Sequence, residues 1–265
     1  MNSQIKTVKT DEFSMDYLKF GQGEESFVIL PGLSVQSVMG FADQVADAYQ
    51  ALADNYTVYM FDRRSNLPEK YYVHDMAEDT AEAMEVLGLE KANLFGASQG
   101  GMIAMDIAVN HPEMVNKLVL GSSSATVNDE LLETIGKWTD LAKAGKGEDL
   151  YLAFGEAVYP EEVYEQSKEL LIGAGKTVTA EEFERFVTLA EGMRGFDITG
   201  DIGKIDCPVL VLGDKTDKVV GAAASEKIAE LLADNDCTLY MYDGYGHAAY
   251  DMAPDYKERI LEFLK

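Results

Sequence analysis

A serine hydroxyl is a poor nucleophile at neutral pH unless a base accepts its proton, so serine chemistry needs a partner that the fold brings to it. Ser98 stands in Gly96-Ala97-Ser98-Gln99-Gly100, followed by Gly101. Small residues two places before and after a serine let a strand and a helix meet in a turn so sharp that the serine is held in strained backbone geometry. The chain offers three histidines as base. His111 precedes Pro112 at the end of the helical run that Ser98 opens, several turns away, and is expected at the surface. His74 lies just before the helical run 75–87 and is expected to cap or pack locally. His247 sits in Gly244-Tyr245-Gly246-His247-Ala248, directly after the last apolar run, where the glycines suit a turn that projects the imidazole. It is the expected base.

A histidine base needs a carboxylate that holds its tautomer and stabilises the imidazolium. Gly213-Asp214-Lys215-Thr216-Asp217-Lys218-Val219-Val220 follows the penultimate apolar run and offers two. Asp217, just before a short apolar pair, is the preferred acid; Asp214, immediately after the strand, is the alternative and would otherwise brace the turn. A tetrahedral intermediate also needs preorganised donors for its oxyanion. The N–H of Gln99 at the start of a helix would supply one. The N–H of Leu33, in Pro31-Gly32-Leu33-Ser34 after the first central apolar run, would supply the other.

The elements that must position these residues are legible as alternation. Short apolar runs at 27–30, 57–61, 93–95, 117–120, 209–212 and 238–242 read as strands, and 13–20 reads as an antiparallel edge strand. Helical patterns at 37–53, 75–87, 99–110, 222–232 and 255–264 lie between or after them. This alternation predicts an α/β fold with a mostly parallel sheet. From about 128 to 195 no strand is convincing. Helical runs at 130–144, 161–171 and 180–193 predict an all-helical insertion over the C-terminal edge of the sheet, where ligands bind in open α/β folds. Trp138, Tyr151, Phe154, Tyr159, Phe183, Phe186 and Met193 belong to it. Most are expected in its core and a minority against the ligand.

The formal net charge of −25 argues against binding nucleic acid or an anionic membrane, because both carry negative charge themselves. The segment Met1-Asn2-Ser3-Gln4-Ile5-Lys6 lacks the apolar stretch of a secretory signal, and no run approaches a membrane span, so a cytoplasmic protein is expected. The two cysteines, Cys207 and Cys237, share no metal-ligand spacing with each other or with the histidines. Neither a metal nor a cofactor is expected. Each cysteine stands just before one of two consecutive strands. Both are expected as free thiols at the N-terminal edge of the sheet, away from the chemistry.

In the order Ser98, Asp217, His247 the chain resembles the α/β hydrolases. The likeness runs through the helix before the serine's strand (75–89), the segment His111-Pro112-Glu113 through Leu120, and Asp206-Cys207-Pro208-Val209-Leu210. It implies an eight-stranded, mostly parallel sheet with helices on both faces. The core would span 1–124 and 201–265, with a helical cap at 125–200. Within that superfamily the chain is similar to capped esterases, enol-lactonases and carbon–carbon bond hydrolases. The implied activity is hydrolysis of a small-molecule ester, thioester or lactone through an acyl-enzyme on Ser98. Carbon–carbon bond hydrolysis, a lyase reaction or a non-catalytic ligand receptor are the alternatives on the same scaffold. Two departures stand out: Pro31-Gly32 where many relatives have His-Gly, and Asp62-Arg63-Arg64-Ser65 where many have Arg-Gly. Arg63 and Arg64 are expected in structural ion pairs with nearby acids, or else against an anionic group of the substrate.

Overall fold

The continuous apolar runs become the middle of one sheet, because a parallel strand is covered by helices on both faces and every side chain must be apolar or small. In the computed structural model, which describes residues 3–265, the strands are β1 (Gln4–Lys9), β2 (Ser14–Gly21), β3 (Glu25–Leu30) and β4 (Tyr56–Arg64). They continue with β5 (Ala92–Ala97), β6 (Val115–Gly121), β7 (Val209–Asp214) and β8 (Cys237–Tyr242). Met1 and Asn2, the start of the N-terminal segment read above, lie outside the described residues. The spatial order is β1-β2-β4-β3-β5-β6-β7-β8. β1/β2 and β2/β4 run antiparallel and the rest of the sheet is parallel. β5 and β7 are buried along their whole length.

The helices outside the insertion are α1 (Ala42–Ala48), α2 (Val73–Val86), α3 (Gln99–Asn110), α8 (Ala222–Leu231), α9 (Ala249–Met252) and α10 (Tyr256–Leu264). Met76, Ile107 and Ile228 of α2, α3 and α8 pack on one face of the sheet. Ala46, Tyr256 and Ile260 of α1 and α10 pack on the other. Between β6 and β7 the chain inserts α4 (Asp129–Lys143), α5 (Gly147–Val158), α6 (Glu161–Gly175) and α7 (Ala180–Glu191). The two stems of the insertion pair with each other. Val127 N–H donates to Phe196 O at 3.0 Å and Ile198 N–H to Ala125 O at 2.9 Å. No helix among the described residues is long and apolar enough to cross a membrane.

Three details differ from the sequence reading. The edge strand is β1, and β2 lies inside it; β1 escapes notice because four of its first five residues are exposed, which erases the two-faced pattern. Its lysines, Lys6 and Lys9, suit an edge that must not recruit another strand. The single helix read over 37–53 is α1 flanked by two short 3-10 turns. Finally, α5 is a further helix in a stretch (145–160) where no helical run is expected and where Gly147 and Gly155 would weaken one. They are contact points instead: a Cβ on Gly155 would lie 2.5 Å from Leu171, and one on Gly147 would lie 2.1 Å from Gly175 O.

β7 and β8 are parallel neighbours, with Val209 opposite Cys237. Cys207, two residues before Val209, is therefore offset by two strand positions, which puts the two Cα atoms roughly 8 Å apart, beyond disulfide reach. Both thiols are free, and burial pushes that of Cys207 up to about 11. The double change Cys207→Ser, Cys237→Ser should leave turnover per folded molecule unaltered and cost about 1–3 kcal/mol of stability, the penalty for a buried hydroxyl. Denaturant midpoints and assays on the same preparation check this; lost turnover at full stability would contradict the placement.

Candidate active site

In the strand order, the connection after β3 leads to one side and the connection after β5 to the other, so the neighbouring C-terminal ends of β3 and β5 form a switch point. Pro31-Gly32-Leu33 leaves one of these ends and Ser98 the other. Ser98 has φ 52° and ψ −120°, a backbone conformation that costs a residue with a side chain about 1–3 kcal/mol. Packing around the turn holds it there. A Cβ on Gly100 would sit 1.9 Å from Leu30 O and one on Gly96 2.3 Å from Gly100 O, so only glycine permits this approach of strand and helix. Ser98 N–H donates to Gly121 O at 2.8 Å, and Ser123 Oγ donates to Ser98 O at 2.8 Å. The site for a Cβ on Gly32 lies 3.2 Å from Ser98 Cβ, so the loop after β3 runs directly past the serine.

His247 lies in a short turn, Gly246–Ala248, after β8, and is buried. Its Nδ1 is 2.9 Å from Asp217 Oδ2. The other oxygen of Asp217 accepts the N–H groups of Val219 at 2.8 Å and Val220 at 3.1 Å. Burial by itself raises the pKa of this carboxyl, but the imidazole and the two backbone donors outweigh it and leave the group below its ordinary value. Asp214 faces elsewhere. Its oxygens accept from the N–H and hydroxyl of Thr216 at 2.7 and 2.6 Å and from Tyr245 N–H at 2.9 Å. Thr216 Oγ1 in turn accepts from Gly246 N–H at 3.2 Å, so Asp214 ties the two loops together and braces the turn that carries His247.

Ser98, His247, Gly32 and Leu33 line one cleft between sheet and insertion. Gln99 is buried at the first position of α3, where a helix leaves its N–H without an intrahelical acceptor. Of the aromatic and Met residues read in the insertion, Trp138, Phe154 and Met193 reach the cleft, whereas Phe186 is buried in the core. Leu131, Val158, Met102, Val219, Val220 and Tyr250 complete an apolar lining. Tyr250 was not singled out in the sequence. Its only signal is the three-residue spacing from His247 along a short helical turn.

The two arginines part company. Arg64 has the expected ion pair, with Asp79 at 3.4 Å. Arg63 does not: its guanidinium donates to Pro31 O at 2.8 Å and Gln99 Oε1 at 3.2 Å, and the carboxylate beside it, Asp62, is ion-paired with Arg185 of α7. Burial draws the Arg63 guanidinium down to about 10. The two remaining histidines lie outside the cleft lining. His74 pairs with Asp106 at 2.9 Å, a hydrogen bond that raises its pKa, and His111 pairs with Glu78 at 2.8 Å. His74, Glu78 and Asp106 bring potential ligand atoms within 4.8 Å of one another, and these ion pairs account for the cluster.

The sheet order, the strained serine turn and the helical insertion define an α/β-hydrolase-fold protein. A family model described as the alpha/beta hydrolase fold matches residues 26–145. The structure is similar to that of MGS-M2, an alpha/beta hydrolase enzyme from a Medee basin deep-sea metagenome library. The TM-score is 0.88 at 22% identity over 98% of this chain and 97% of the other. The enol-lactonase of Burkholderia xenovorans LB400 superimposes with a TM-score of 0.83 at 19% identity, over 98% and 99% of the two chains. In sequence, the RutD protein of Agrobacterium fabrum, named for carbamate hydrolysis, is 28% identical over 81% of this chain and 85% of its own length.

Proposed function

We propose that the chain is a serine hydrolase that cleaves a small-molecule ester, thioester or lactone through an acyl-enzyme on Ser98. The observation that carries this reading is the buried His247–Asp217 pair in the same cleft as a serine held at positive φ. With Nδ1–H donated to Asp217, the lone pair of His247 Nε2 is free for the serine proton. Ser98 Oγ adds to the substrate carbonyl while His247 takes that proton. The N–H groups of Leu33 and Gln99 hold the oxyanion, each contributing about 3–4 kcal/mol to lowering the barrier. The intermediate collapses, the C–O or C–S bond breaks, and the leaving alcohol or thiol takes the proton from His247. Water then repeats the sequence on the acyl-enzyme and releases the acid. The apolar lining favours hydrocarbon around the scissile bond. A carbamate carbonyl is open to the same attack, which the likeness to RutD makes worth including.

Treatment with a fluorophosphonate tests the reading directly. Stoichiometric labelling of Ser98 is expected, with none in Ser98→Ala, alongside turnover of some member of an ester, thioester, lactone and carbamate panel. A folded protein that binds panel compounds but neither reacts with the probe nor turns any over would be a receptor, and the proposal would fall.

A further inference from the structure

In the serine-hydrolase reading the oxyanion is held by two backbone N–H groups on two separate segments, those of Leu33 and Gln99, and their relative position has to be set by something. A network of side-chain hydrogen bonds joins those segments to each other and to the insertion. Arg63 Nη2 donates to Pro31 O at 2.8 Å and to Gln99 Oε1 at 3.2 Å, joining the loop after β3 to the residue after the serine. The amide of Gln99 then donates to Leu189 O of α7 at 2.8 Å. Arg185 of α7 pairs with Asp62 at 2.6 Å, and the second oxygen of Asp62 accepts from Ser37 Oγ at 2.6 Å. Gln36 Nε2 donates to Glu182 Oε1 of α7 at 3.1 Å, and Gln36 Oε1 accepts from Tyr151 OH of α5 at 2.9 Å. Glu182, Arg185 and Leu189 are spaced i, i+3, i+7, one face of a helix. That face of α7 lies along the loop that carries Leu33.

We infer that Arg63 and the side chain of Gln99 are positioning residues of the oxyanion hole, and that the Asp62–Arg185 pair makes cap helix α7 part of its frame. The inference rests on the serine-hydrolase reading. Arg63 is 5% exposed, and its side chain gives hydrogen bonds to two neutral oxygens. Burying a cation on such partners is unfavourable for stability, whereas fixing the loop that carries Leu33 against the residue after Ser98 preorganises the two donors for the transition state. Nothing in this network touches His247 or Asp217, whose hydrogen bonds go to each other and to Val219 and Val220.

The test uses a p-nitrophenyl ester that the wild type turns over. Arg63→Met should lower kcat about 10- to 100-fold with KM little changed, less than the 10²- to 10³-fold that follows outright loss of an oxyanion donor. The pH dependence of kcat/KM should keep its midpoint, because the base is untouched. Arg63→Lys should recover part of the loss. Gln99→Met keeps the backbone donor and removes the tie, so it should lower kcat in the same way, and the double variant should lose little more than either single one. Arg185→Gln acts from the cap side on a less buried side chain and should also lower kcat rather than raise KM, even where the Arg63 variants fold poorly. Folded variants with wild-type kcat, additive losses, or a shifted pH midpoint would overturn the inference. A wild type without turnover or labelling of Ser98 would instead overturn the reading beneath it.

Discussion

Ser98→Ala should lower kcat by about 10⁶-fold, some 8 kcal/mol of barrier, and His247→Ala should cost about as much. The informative quantity is the double variant. A nucleophile and its base act as one unit: without the imidazole the hydroxyl keeps its proton, and without the hydroxyl the imidazole has nothing to activate. Ser98→Ala, His247→Ala should therefore lie close to either single variant, with a residue of activity from the donors of Leu33 and Gln99. Single-turnover kinetics on an activated ester, with the three proteins matched for folded content, make the comparison. Losses that add, or a Ser98→Ala protein of near-wild-type rate, would sink the acyl-enzyme mechanism.

Asp217→Asn should lower kcat by about 10⁴-fold, because an amide in that place can donate to Nδ1 and so favours the tautomer whose Nε2 cannot accept the serine proton. Asp214→Asn should act differently. Its partners are Thr216 and Tyr245, so the loss is of loop bracing: about 1–3 kcal/mol of stability, because the amide NH2 cannot accept from one of the N–H groups that the carboxylate satisfied, and a modest fall in rate. Equal losses of rate for the two variants would contradict this division of roles. The depressed pKa of Asp217 adds a pH test. A carboxyl whose folded pKa is lowered contributes stability that is present above its unfolded pKa and lost as pH falls through the folded value. The difference in urea midpoint between wild type and Asp217→Asn should therefore shrink on going from neutral to acid pH.

Much of this molecule is local in origin. Gly96-Ala97-Ser98-Gln99-Gly100 specifies a strand-to-helix turn because only small residues let β5 and α3 approach so closely, and that constraint is readable from five letters. The continuous apolar runs of β3, β5, β6 and β7 announce burial on both faces, hence a parallel sheet. The pairing of β7 with β8 follows from their succession. The helical insertion shows as a stretch of helical periodicity where a strand is due.

Other features are decided only when segments far apart in sequence meet. Two aspartates three residues apart look alike in the chain; which of them meets His247 depends on how the loop after β7 folds against the turn after β8. β1 has no buried face to leave a pattern, so its existence depends on an open edge of β2. Gly147 and Gly155 read as helix breakers until α6 is packed against α5. The partners of Arg63 and Arg64, adjacent residues of one type, diverge because they sit at different depths: Arg64 meets a partly buried acid, Asp79, and the more deeply buried Arg63 turns inward to Pro31 and Gln99. Sequence periodicity records which faces are buried and which turns are tight, since those are one-segment properties. Which polar groups satisfy one another is a property of several segments at once, and it comes into being only in the folded chain.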